Sequence, residues 1–349
     1  MRHQPTTGAT VYGIDLGKSS FHTIAMDVTG KPVQKLTLSR ATIFTFFSNA
    51  PASIIGMEAC PGSQWLARKL EALGHTVKII PAQFVKPYVK SNKNDMIDAC
   101  AIAEAVTRPT MRYVRIKTTE QVELQTMHRL RESMMSNRTR LINQGRAFCL
   151  EFGVVMRVGV AAFKTTLPQV LADETNDLTP RMRQLLGDLW NDFKLLDGRI
   201  VGLTKELDAI ARRSEMARRL TTIPGIGSLG ATAILGAVGD AKQFDKARDF
   251  AAWVGLTPAQ YSTGGKTTLL SISKRGNSLV RCLLIHGARS CVAHMDRSKD
   301  RLGAWLTALE RRMHPNKVIV ALANKIARIA WVVLTRQGTL YTPDVATRI

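Results

Sequence analysis

With 349 residues, 45% of them apolar, the chain is long enough for two or three globular domains rather than a disordered tail. Lys and Arg number 49 against 27 Asp and Glu, a net +22, which argues against small anionic metabolites as the main partner and for a polyanion, nucleic acid first. An anionic membrane fits less well: no uninterrupted apolar run approaches the roughly 20 residues of a span, and residues 1–10 do not read as a signal peptide, so a cytoplasmic protein is expected.

Residues 11–38 read as three strands, Val11–Leu16, Ser20–Met26 and Pro32–Leu38, with a hairpin turn at 27–30. A helix over 42–48, a strand over 53–58, a helix over 63–73 ended by Gly74, a strand over 76–80 and a helix over 98–106 follow. Antiparallel strands followed by alternating helix and strand predict a mixed α/β sheet covered by helices. Asp15 and Glu58 end apolar strands, where an acid costs several kcal/mol unless it is paired or bound to a metal. Asp95 and Asp98 stand three apart in the stretch Ser91-Asn-Lys-Asn-Asp-Met-Ile-Asp98, so both project from one helical face. Any one of these acids alone reads as a strand-end or capping carboxylate; the four together read as a cation site. The five cysteines lack Cys-x-x-Cys spacing and the seven histidines form no zinc set, so the expected metal is hard and oxygen-bound, Mg²⁺.

Residues 119–151 and 180–220 carry long helical periods, Leu124, Met127, Leu130, Met134, Leu141 and Phe148 in the first, Leu185, Leu189, Leu196 and Ile200 in the second. They predict two long antiparallel helices within one chain or a coiled coil between chains, with 154–176 as tip or linker. Leu220-Thr-Thr-Ile-Pro-Gly-Ile-Gly227 followed by a small-residue helix has the pattern of a helix-hairpin-helix, in which Pro224, Gly225 and Gly227 bring backbone close to phosphate. The competing reading is a tight turn between core helices. Next, Tyr261-Ser-Thr-Gly-Gly-Lys266 and Ile272-Ser-Lys-Arg-Gly-Asn277 concentrate hydroxyls, glycines and cations. Lys266, Lys274, Arg275 and, beyond them, Arg281 are expected to hold phosphate. A final helix over 317–335 is apolar but interrupted by Lys325 and Arg328, as a core element would be.

The order of strands and acids resembles the ribonuclease H-like fold with a RuvC-type Asp-Glu-Asp-Asp tetrad. Gly13-Ile-Asp-Leu-Gly-Lys-Ser19 also looks like the first phosphate loop of actin-like sugar kinases, but their second phosphate loop and adenosine loop are missing from the sequence. Gly-Ile-Asp-Leu-Gly-Lys, Met-Glu-Ala-Cys, Lys-Asn-Asp-x-x-Asp-Ala, Ile-Pro-Gly-Ile-Gly, Gly-Leu-Thr-Pro and Ser-Lys-Arg-Gly-Asn, in this order, resemble the DEDD transposases of insertion-sequence family 110, 1111 subgroup. The resemblance implies an α/β plus α fold: a RuvC-like domain over 1–117, coiled-coil helices over 118–215, and a mainly helical transposase domain with the helix-hairpin-helix over 216–349. It further implies a recombinase acting on donor and target DNA, guided by a structured bridge RNA and working as a homo-oligomer. By the same resemblance, a covalent serine–DNA intermediate is expected, with the tetrad and Mg²⁺ completing the site from another subunit. The family has Ser directly before the first Gly of the hydroxyl loop; here that position is Thr263, with Ser262 one residue earlier, so the nucleophile is expected at one of the two. The alternative is a RuvC-like nuclease that cuts with metal-activated water.

Overall fold

A computed structural model of the chain describes residues 4–6, 8–90, 94–299 and 301–343. The chain divides into two units, Met1–Thr118 and Thr119–Ile349.

In the first unit, strands β1 (Val11–Leu16), β2 (Ser20–Met26) and β3 (Pro32–Ser39) form an antiparallel meander. After helix α1 (Ile43–Ser48), strand β4 (Ile54–Glu58) returns beside β1 and pairs with it in parallel. Helix α2 (Ser63–Glu71) then leads to β5 (Thr76–Ile80), parallel to β4, giving the order β3-β2-β1-β4-β5. A short α3 (Ala82–Val85) precedes α4 (Asp95–Val106), whose N-cap Asn94 accepts from the Met96 amide at 2.9 Å. Ser91, Asn92 and Lys93 of the acidic stretch lie outside the described residues.

Central β1 is buried on both faces because successive side chains alternate. Tyr12 and Ile14 join Phe46, Phe47 and Leu66 in the core beneath α1 and α2. Val11 lies in the opposite core with Ile24, Met26, Ile102 and Val106, beneath α4. Odd positions of β1 and even positions of β2 and β4 therefore face α4.

The second unit opens with two long helices, α5 (Thr119–Leu150) and α7 (Pro180–Arg213), antiparallel within the one chain: Arg131 donates to Thr204 and Arg138 to Asp197. Their mutual face follows the sequence expectation in part: Met134 on α5 and Ile200 on α7 are buried as expected. Leu130, Phe148 and Leu185 are exposed, while His128, Met134, Ile142, Gly145 and Cys149 carry the buried face of α5. The expected tip also contains a further helix, α6 (Val160–Ala172), which packs Phe163 and Leu167 against Phe193 and Leu186. Lys164 of α6 and Arg138 of α5 both grip Asp197, each at 2.6 Å; although burial opposes ionisation, these cations hold its carboxyl below the usual range.

Ser214 breaks the helical run expected to reach residue 220, capping the short α8 (Glu215–Thr221) by accepting from the Ala217 amide. Then follow α9 (Ser228–Val238), α10 (Ala247–Val254), a two-stranded ribbon of β6 (Pro258–Thr263) and β7 (Lys266–Ile272), α11 (Ser278–His294), α12 (Arg301–Glu310) and α13 (Pro315–Thr335). By length and composition alone α13 could cross a membrane. Its apolarity has a packing cause: Val318, Leu322, Ala323, Ile326, Ala330 and Val333 are buried in the core shared with α9, α10 and α11.

Candidate active site

Two glycines assemble the acids of the first unit. Gly13 and Gly56 sit two residues before Asp15 and Glu58 and so face the same side of the sheet. A Cβ on Gly13 would stand 2.2 Å from the Ala99 carbonyl oxygen and 2.4 Å from the Ala103 amide nitrogen of α4; one on Gly56 would meet Val106 Cβ at 2.8 Å. Only glycine lets α4 lie this close, and with Ala99 held over Gly13 the first turn of α4, bearing Asp95 and Asp98, is carried toward the strand ends. Asp15 and Glu58 lie there side by side, one residue past the paired Ile14 and Met57.

Electrostatics tie the group together. Burial, then the charges of Asp98 and Asp95, push the Asp15 carboxyl above the usual carboxylate range. Burial, then Asp15 and Asp98, do the same to Glu58. Mutual repulsion of this kind is what a cation among the oxygens relieves. Cys60 follows Glu58 closely; burial, Glu58 and Asp15 push its thiol up, so it stays a neutral neighbour.

One member escaped the sequence analysis. In the β1–β2 register His22 is the partner of Asp15, and its Nδ1 lies 3.4 Å from Asp95 Oδ2. Among the described residues, Asp15, His22 and Asp95 form the set of three whose donor atoms all lie within 4.8 Å of one another. The sequence reading looked among the histidines only for a zinc set and so did not single out His22, which stands beside the acids. A turn at Gly17, whose amide donates to the Ser20 carbonyl at 3.0 Å, sets this register.

In the second unit the expected hydroxyl loop is a ribbon. Gly264 and Gly265, with φ of 54° and 77°, make the two-residue turn, and Ser262 pairs with Thr267, Thr263 with Lys266. Strand alternation puts Ser262 and Thr263 on opposite faces: Ser262 shares its face with Gln260, which donates to its Oγ at 2.7 Å, and Thr263 shares its face with Lys266. At the ribbon's base, Gly-Leu-Thr-Pro and Ser-Lys-Arg-Gly-Asn lock together. Ser273 donates to Thr257 and Lys274 to Gly255, and a Cβ on Gly276 would stand 1.7 Å from the Trp253 carbonyl oxygen. Lys274 takes a left-handed φ of 54° there, beside Arg275. Arg281 has a structural use: its Nη1 donates to the carbonyls of Val254 and Arg275 at 2.8 and 3.1 Å, fixing the base.

The Ile-Pro-Gly-Ile-Gly turn joins α8 to α9. Pro224 precedes Gly225, whose φ is 86° and which crosses α11 so closely that a Cβ on Gly287 would be 1.8 Å from its carbonyl oxygen. Gly227 is the exposed N-cap of α9 and offers no side chain to the first amides.

Residues 12–152 match a family model for DEDD transposases of the IS110 type, described as a transposase. Residues 217–302 match the family described as "Transposase IS116/IS110/IS902 family". The chain is 43% identical over 335 residues to the transposase for insertion sequence element IS1328 of Yersinia enterocolitica, covering 95% of this chain and 98% of that one. It is 44% identical to a probable family 20 transposase of Pseudomonas aeruginosa over the same shares of both chains. Identity to the transposase for insertion sequence element IS1111A of Coxiella burnetii is 41%, covering 94% of this chain and 90% of that one.

Proposed function

The chain belongs to the IS110/IS1111 family of transposases, enzymes that cut and rejoin DNA, and from that premise we propose how it does so. Strand exchange proceeds through a phosphodiester between DNA and a hydroxyl of the ribbon, Ser262 or Thr263, with Asp15, Glu58, Asp95 and Asp98 holding Mg²⁺. The observation that carries this reading is the gathering of acids at the ends of β1, β4 and the start of α4: burial, then the charges of Asp98 and Asp95, raise Asp15, and burial, then Asp15 and Asp98, raise Glu58. The strand order β3-β2-β1-β4-β5, with acids on β1, β4 and a following helix, supports a RuvC-like ribonuclease H fold for the first unit.

An oxygen-rich donor set suits Mg²⁺, which when bound polarises a phosphate and stabilises the leaving oxygen. The protein's own groups do the rest. The attacking hydroxyl forms one O–P bond as one P–O bond of the DNA backbone breaks, so the phosphodiester energy stays in the adduct for rejoining. Lys266, Lys274 and Arg275 bring cations to that phosphate. Because the two hydroxyls face opposite sides of the ribbon, only one of them serves. Position beside Lys266 and the glycine favours Thr263; the less hindered primary hydroxyl favours Ser262. The Pro224–Gly227 turn grips the DNA backbone as a helix-hairpin-helix, its contact being the uncapped amides at the start of α9.

The +22 charge suits two polyanions, DNA and a structured guide RNA. The enzyme acts as a homo-oligomer through the long helices of region 118–215, between catalytic regions 1–117 and 216–349; Leu195 is among the large apolar side chains that α7 leaves exposed.

Incubation with nicked DNA and Mg²⁺, protease treatment and mass spectrometry test the reading. A nucleotide on residue 262 or 263 is expected. An adduct elsewhere overturns the assignment, and cleavage without any adduct makes the enzyme a hydrolytic nuclease. RNA from the element's own flanks should bind better than an unrelated RNA of equal length; equal binding removes the guide.

A further inference from the structure

We propose that His22 is a fifth donor of the acidic site, so that a bound divalent metal takes one imidazole nitrogen beside its carboxylates. The inference rests on the reading of Asp15, Glu58, Asp95 and Asp98 as a metal site, and it concerns a residue outside that tetrad.

Three observations carry it. The β1–β2 register places His22 directly across from Asp15, on the side of the sheet that faces α4. Its Nδ1 lies 3.4 Å from Asp95 Oδ2, and single donor atoms of Asp15, His22 and Asp95 all fall within 4.8 Å of one another. Two ligands held about 2.1 Å from one ion are separated by about 3.0–3.4 Å, from octahedral to tetrahedral angles. The His22–Asp95 spacing matches such a pair and is longer than the usual N–H···O hydrogen bond of about 2.9 Å. Three atoms within 4.8 Å of one another share a centre no more than about 2.8 Å from each, so shifts below 1 Å reach bonding distance. The ring is also sheltered, 21% exposed at its side chain against 56% for Asp95, and so holds its place beside the more exposed carboxylate.

A nitrogen donor changes which ions the site prefers. Carboxylates alone suit Mg²⁺ and Ca²⁺, whereas imidazole adds affinity for Mn²⁺ and the later first-row ions. The site should hold Mn²⁺ more tightly than Mg²⁺, and His22 should account for most of the difference.

The probe is Mn²⁺ alone, added to the full chain without DNA and read by electron spin-echo envelope modulation. The wild-type chain should show coupling to a directly bound ¹⁴N, and His22→Gln and His22→Ala should lose it while binding Mn²⁺ about tenfold more weakly. Mg²⁺ affinity, measured by competition, should fall less than Mn²⁺ affinity in both variants. Wild-type binding of Mn²⁺ without ¹⁴N coupling, or coupling that persists in His22→Gln, overturns the role of His22 and leaves the acidic site intact. The acidic site has its own control: if the wild type binds no Mn²⁺, or Asp15→Asn binds it undiminished, both ideas fall together. The wild-type spectrum needs no variant to fold, and thermal unfolding of His22→Gln separates loss of a ligand from loss of structure.

Discussion

Gly13→Ala isolates the packing that brings the acids together. The new methyl would stand 2.2 Å and 2.4 Å from two backbone atoms of α4, where ordinary contact begins at 3.4 Å. No rotamer change relieves a clash with backbone, so α4 must retreat by about 1 Å from a close-packed core. Overpacking costs roughly 1–3 kcal/mol, and an immovable partner puts this case near 3. That corresponds to a fall of about 10 °C or more in the melting of a unit this size. The retreat also moves Asp95 and Asp98 away from Asp15, and a misplacement of about 1 Å costs on the order of 10²-fold in rate. Gly56→Ala makes the comparison, since its methyl meets side-chain atoms of Val106 and Ile102 at 2.8–3.2 Å, which can yield; about 1 kcal/mol is expected. Thermal unfolding and single-turnover strand cleavage are the assays, with DNA binding at fixed salt as the internal control. Wild-type melting and cleavage in Gly13→Ala would refute the reasoning, as would equal damage from the two substitutions.

Gly187, Gly198 and Gly202 lie within α7, and a Cβ at any of them meets nothing within 4 Å. Each Gly→Ala change should therefore stabilise by about 0.5–1 kcal/mol, read as a higher urea midpoint at constant m-value; a lower midpoint would show that the glycine has a use in the fold. His128 is buried with Nε2 3.0 Å from Thr232 Oγ1, and burial followed by the Arg131 charge lowers its pKa to about 4. Between pH 6.5 and about 4 the unfolded chain binds a proton that the folded chain refuses, so stability is complete above 6.5 and falls by up to about 3 kcal/mol as pH drops through that window. His128→Gln should flatten this dependence in urea unfolding at several pH values, and an unchanged slope would refute it. Nucleic-acid affinity should fall by about 10³-fold or more from roughly 50 to 200 mM salt; a flat dependence would refute binding through phosphates.

The sequence was most legible where period and punctuation agree. β1, β2 and β5 lie where alternating apolar residues bounded by Gly, Asp and Thr put them, and the acids at the ends of β1 and β4 could be found because an acid closing an apolar run is costly. His22 was missed because its neighbour is fixed by hairpin register, and a shift of one residue would have turned it to the other face. Helix α6 was hidden behind Gly159 at its N-cap and Pro168 in its interior. The ribbon looked like a loop because both strands are exposed on both faces, which removes the alternation, although Gly264-Gly265 is itself a hairpin signal. Leu130 fits the three-to-four spacing and Phe148 the sevenfold one, yet both face solvent, since α5 turns its buried stripe through His128, Gly145 and Cys149. Gly225, Gly255 and Gly276 are backbone crossings, which no property of the residue announces.

The chemistry asks opposite things of the two groups that matter, and the local structure answers each. Carboxylates that repel one another separate unless the framework prevents it, so they belong on the most constrained surface available. Asp15 and Glu58 lie near the ends of strands, each directly after a fully buried residue, Ile14 and Met57, and α4 is held against β1 by a contact at Gly13 that allows no methyl group. A nucleophile that must reach a phosphate, carry it and hand it back needs freedom instead. A two-stranded ribbon is marginal in water by itself, and among the described residues this one is secured at its base, where Ser273, Lys274 and Arg281 donate to the chain around residues 254–257 and Gly276 lies against Trp253. Toward the turn, Tyr261 and Leu269 are 66% and 65% exposed, so little packing opposes bending there. Stiffness thus falls from the base, where Lys274 and Arg275 are fixed, to the tip, where Ser262 and Thr263 stand. A ribbon graded in this way keeps its cations in place while its hydroxyls move, which is why the close-packed glycines belong at the base and the flexible pair at the turn.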